Sequence, residues 1–78
     1  MSFYMRQCTD ILLWEIEEGV SQKDVAVTFA AAMRTEKAGL EEVDWGLVGQ
    51  AALERWGPAG WKRVKDRGWG IYEGRIKV

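Results

Sequence analysis

The chain has 78 residues, and its 11 Lys and Arg against 12 Asp and Glu leave a net charge of −1. That length closes one hydrophobic core and leaves too little chain for a second, so 1–78 is expected to form a single domain. One cysteine and no histidine exclude an internal disulfide, a Cys/His zinc site and every mechanism that depends on an imidazole.

The first element spans about 9–18. Thr9 reads as its N-cap, Asp10 suits a first helical turn and Gly19 offers a stop. Leu12, Trp14 and Ile16 also alternate with Leu13, Glu15 and Glu17 as a strand would, so helix is the reading and strand its competitor. The second start is sharper. Ser21 and Asp24 form a capping signature, with Val20 and Val25 placed as a hydrophobic staple. The helix predicted from Gln22 to about Glu36 puts Val25, Phe29, Ala32 and Met33 on one face. Ala26, Val27, Ala30 and Ala31 carry apolar surface round the rest, which marks a central helix packed on two sides.

A polar connection, 38–43, follows, with Gly39 as the stop and acids at Glu41, Glu42 and Asp44. Asp44 caps a third helix in which Trp45, Val48, Gly49, Ala52, Leu53 and Trp56 keep helical spacing throughout. Gly57 ends it and Pro58 opens a fourth that reaches about Tyr72. Trp61, Val64, Gly68, Ile71 and Tyr72 share its inner face. Gly68 and Gly70 weaken it, so its last turn is expected to unravel into an extended tail, 74–78. The fold class is therefore all-α, an orthogonal bundle of three to four helices with an extended C-terminal tail.

The run Leu12 to Val25, through Gly19, Val20 and Ser21, resembles the turn of a helix-turn-helix domain, where a glycine precedes an apolar residue and a capped recognition helix. The resemblance covers about a quarter of the chain. Glu15 and Glu18 stand where a small and an apolar residue are usual, and an acidic supporting helix repels phosphate. What the resemblance implies is architecture.

The chemistry is defined by what is missing. Cys8 has no imidazole to activate it and reads as a small hydrophobe. Glu15 with Glu18, and Glu41 with Asp44, lack the ligand spacing of a calcium loop, and no glycine-rich phosphate loop is present. No catalytic residue, cofactor, metal or small-molecule substrate is expected. The longest apolar run, Val25 to Met33, is interrupted by Thr28 and is too short to span a membrane; Asp10 and Glu15 break any signal-peptide core. A cytoplasmic protein is expected. In place of a staple the chain carries Trp14, Trp45, Trp56, Trp61 and Trp69, with Phe3, Tyr4, Phe29 and Tyr72. Most of these rings are expected in the core.

Residues 1–54 hold four Lys/Arg against ten Asp/Glu, a balance of −6, whereas 55–78 hold seven against two, a balance of +5. The basic segment interleaves cations with aromatics, and Arg55, Lys62, Arg63, Lys65, Arg67 and Trp69 are the candidate binding residues, Trp69 being the ring best placed to be exposed. The function expected is a non-catalytic interaction module, a regulator, inhibitor or assembly subunit that docks on a protein partner or on itself. The alternative is a nucleic-acid-binding, helix-turn-helix-like domain that uses the basic C-terminal helix.

Overall fold

A computed structural model describes residues 7–78. Phe3 and Tyr4, two of the expected core aromatics, lie outside the described residues. The described residues form three helices: α1, Cys8–Glu18; α2, Gln22–Lys37; and α3, Trp45–Tyr72. None of the described residues is in a strand, so the competition over 9–18 is settled for helix. Gly19 closes α1 at φ 83°, a left-handed conformation that costs glycine little. The Gly19 and Val20 amides donate back to the Ile16 and Glu15 carbonyls at 3.3 and 3.0 Å. The cap at the other end is Gln7 rather than Thr9. Thr9 is buried, and its hydroxyl instead accepts the Asp44 amide at 3.0 Å, tying the start of α1 to the start of α3.

Ser21 caps α2 by accepting the Asp24 amide at 3.2 Å, and Asp44 caps α3 by accepting the Leu47 amide at 3.1 Å. α3 unites the two helices expected on either side of residue 57. It bends there, because Gly57 has φ 76° and ψ 176°, a combination essentially confined to glycine. Pro58 then opens the second arm where a helix has no amide to lose.

Five contacts set the directions. Thr28 donates to Glu15 at 3.0 Å, so α2 runs back along α1. Thr9 meets Asp44 at one end of the first arm, and the Arg55 guanidinium lies against Gly19 at the other. Arg63 donates to Gln22 at 3.1 Å and Arg34 to the Ile71 carbonyl at 3.4 Å, so the second arm and α2 run side by side in the same sense.

The last turn of α3 does not unravel. The Gly74 amide donates to the Ile71 carbonyl at 3.1 Å and the Arg75 amide to Gly70 at 2.8 Å, the paired bonds of a Schellman turn. Ile76 folds back over Gly70, which has no Cβ to obstruct it. The expected extended tail is thus reduced to Lys77 and Val78.

The core also differs from expectation. Leu12, Ile16, Val25, Val48 and Val64 are fully buried, with Phe29, Met33 and Ile71 nearly so, but no tryptophan is buried. Trp14 is 51% exposed and Trp69 44%; Trp45, Trp56 and Trp61 are half-buried. The reason is steric. Ala26, Ala30, Ala32, Gly49, Ala52 and Gly68 are buried where helices meet, and such small residues bring the backbones too close to enclose an indole. The indoles lie outside a centre that is aliphatic apart from Phe29. No helix among the described residues is long and apolar enough to cross a membrane.

Candidate functional site

The second arm of α3 carries five of the six candidate residues, and helix geometry separates them. At about 100° per residue, Lys65 and Trp69 lie roughly 120–160° around the axis from Arg63 and Arg67. Lys62 occupies the outer ridge between them, paired with Asp66 one turn on at 2.6 Å. Arg55 belongs to neither flank. It precedes the bend and lines a different depression with Ile16, Glu17, Ala51 and Glu54. The single basic, tryptophan-bearing surface expected from the sequence is therefore two surfaces, with Arg55 apart from both.

The first flank faces the C-terminal half of α2 across a groove of about 250 Å³. Phe29 forms its floor. Its ring presses against the backbone at Gly68, where any side chain would collide with it. Trp45 tilts over Phe29 at 4.8 Å between centroids, and Trp61 meets it edge-on at 5.8 Å. Gly49 leaves the room in which Trp61 lies. Trp69 and Tyr72 stand edge to face at 5.6 Å and form the open wall, with Met33 opposite them in the lining. Lys65 arches over Trp61, its Nζ 5.3 Å from the ring centroid, a cation-π distance.

The charges at the rim are unequal. Glu36 is spent inside the fold: its Oε2 accepts the Val43 amide at 3.0 Å and its Oε1 accepts Trp45 Nε1 at 3.1 Å. These two bonds hold its carboxyl below the usual carboxylate range and fix the Trp45 ring. Lys37 and Lys65 also line the groove and give its rim a positive character. The groove is smaller than the roughly 300–1,000 Å³ of a drug-sized ligand cleft, and it suits one or two apolar side chains.

The second flank is polar. Arg63 and Arg67 border an open depression with Lys23 and Arg75, beside Gln22 at the N-terminus of α2.

Two acidic or nucleophilic groups lie elsewhere. The Cys8 thiol is pushed up by burial and by neighbouring Glu41, whose carboxylate also accepts the Cys8 amide at 2.6 Å. Glu15 is pushed up by burial, partly offset by the Thr28 hydroxyl, and its Oε1 is buried without a hydrogen-bond partner. A raised thiol lacks the thiolate that nucleophilic chemistry requires.

Sequence reasoning assigned Phe29, Met33, Trp45, Trp61 and Tyr72 to the core; Phe29 and Met33 are buried in it, Trp45, Trp61 and Tyr72 are only half-buried, and all five line the groove. Five tryptophans in 78 residues were the available sign, being more indole than a core of this size encloses. Lys23 and Arg75 were also missed. Arg75 follows Arg63 and Arg67 at helical spacing, but it lies in the segment expected to be an extended tail. No family model matches the chain, and neither does a curated protein or a solved structure.

Proposed function

We propose that the chain is a non-catalytic docking module that captures an acidic segment of a protein partner by an apolar side chain. The observation that carries this reading is the groove: five aromatic rings and Met33 line a concavity that the side chains of the described residues leave open. Aromatic anchors in partly desolvated pockets dominate binding energy at protein interfaces, and Trp and Tyr bring large area at low entropic cost. Lys37 and Lys65, with Glu36 already engaged, select the sign of the flanking charge. Support for a binding role without catalysis comes from the lack of histidine and the raised Cys8 thiol. The orthogonal, helix-turn-helix-like description remains part of the same proposal, with α1 and α2 as the supporting pair and the α2–α3 groove as the working face.

Display of random dodecapeptides against the full chain, followed by titration of the enriched peptides through tryptophan emission, tests the reading. Enriched peptides should share a large apolar residue beside Asp or Glu, and Trp69→Ala or Lys65→Glu should weaken them at least tenfold. Enrichment of basic peptides, or affinities indifferent to both substitutions, would overturn it. Light scattering on the free chain separates capture of another protein from capture of a second copy: a dimer or larger species dispersed by Lys65→Glu assigns the groove to self-association.

A further inference from the structure

The geometry points to a second site on the other flank of α3, where Lys23, Arg63, Arg67 and Arg75 bind the phosphodiester backbone of duplex DNA. These four cations come from three places in the sequence: the first turn of α2, the second arm of α3 and the turn that follows it. They border one depression because α2 and the second arm run side by side and the Schellman turn carries Arg75 back over the arm.

Two of the four are held in place. Arg63 donates through Nε to Gln22 at 3.1 Å, and Arg75 meets Glu73 Oε1 through Nε at 2.8 Å and through a terminal nitrogen at 2.7 Å. Arg63, held through one nitrogen, keeps its other donors for phosphate oxygens, Arg75 keeps its second terminal nitrogen, and less side-chain freedom is lost on binding. Asp66 also lines the depression and is paired with Lys62 at 2.6 Å, and Glu73 is paired with Arg75 at 2.7 Å. Glu17 on acidic α1 lines other depressions, with Arg55 and with Trp14.

The choice of duplex over single strands follows from the lining. Sequence-tolerant binding of single strands relies on aromatic platforms, and among the described residues Ile76 is the only apolar one bordering this depression. The rings are on the opposite flank. A duplex instead offers paired rows of phosphate to the cations set around the depression. The N-terminal end of α2, with Gln22 and Lys23, is the end that helix-turn-helix proteins direct to a groove.

Fluorescence anisotropy with a labelled 20-base-pair duplex, its separated single strand and phosphatidylglycerol vesicles is the test. With three to four phosphates neutralised, log K should fall against log salt with a slope of about −3, so affinity should drop roughly sixtyfold between 50 and 200 mM salt. Arg63→Glu with Arg67→Glu should abolish duplex binding, while Lys65→Glu on the aromatic flank should leave it within twofold. Arg63→Gln with Arg67→Gln provides the same reading if the charge reversal disturbs folding as judged by circular dichroism. A flat titration at 50 mM salt, tighter binding to the single strand or to vesicles, or equal loss in Lys65→Glu would overturn the assignment.

Discussion

Glu15 illustrates how one side chain can weigh against the fold that holds it. Its Oε2 accepts the Thr28 hydroxyl, but Oε1 is buried without a partner, and burial raises the carboxyl above its ordinary value of 4.5. A folded state that holds this proton more tightly than the unfolded chain is favoured below pH 4.5 and loses that advantage as pH rises through the folded pKa. Glu15→Gln retains an acceptor for Thr28 and removes the charge. It should raise the melting temperature at pH 7 by about 2–4 °C, with the gain vanishing near pH 4; a lower melting temperature at pH 7 would refute this account. Glu36 has the opposite sign. Its lowered carboxyl stabilises the fold above the ordinary carboxylate range and loses that contribution as pH falls through the folded value. The caps at Ser21 and Asp44 were legible from residue type and spacing alone, and removing the Asp44 cap by Asp44→Ala should cost about 1 kcal/mol in denaturant unfolding. Thr9 was misread because its competing use is tertiary: the Asp44 amide that it bonds is 35 positions away.

The elements of the chain are defined mostly by where glycine permits a change of direction. Gly57 is the decisive case, since φ 76° with ψ 176° is closed to other residues while no neighbouring atom lies within 4 Å of an added Cβ. Gly57→Ala should therefore cost about 1–3 kcal/mol through backbone strain alone, and a change below 0.5 kcal/mol in urea unfolding would show that the bend tolerates an ordinary residue. Gly68 differs in kind. Its backbone is helical, and the obstacle is the Phe29 ring. Gly68→Ala should displace that ring, destabilise the domain and disturb the groove together. Sequence spacing revealed both arms of α3 and the junction at Gly57 and Pro58, because those signals are local. It did not reveal that Ile76 folds back over Gly70 six positions earlier, because Gly74 was read as the start of a tail and not as the left-handed residue of a Schellman turn. The same limit divided the candidate site: periodicity in 61–72 shows which residues share a flank, but what each flank faces is decided by α2.

At the scale of the molecule, the helices approach so closely that the interior holds aliphatic side chains and small residues, and the aromatic mass is left at the surface. Composition had suggested that tryptophan would stand in for a disulfide or metal in stabilising a short chain. The arrangement instead uses Phe29, Trp45, Trp61, Trp69 and Tyr72 to build a groove on one flank of α3, while Arg63 and Arg67 turn to the other. The charge asymmetry was legible from the sequence; its division between an aromatic rim and a separate basic depression was not, because the two lie on opposite sides of one helix. The central claim is that the aromatic groove is the docking surface for an acidic segment with an apolar anchor. The most direct measurement is the shift of the five indole N–H resonances on titration with a peptide enriched against the chain. Trp61 and Trp69 should move in saturable fashion while Trp14 and Trp56, which do not line the groove, remain in place. Saturable movement of Trp14 or Trp56 with Trp61 and Trp69 unmoved would contradict the claim.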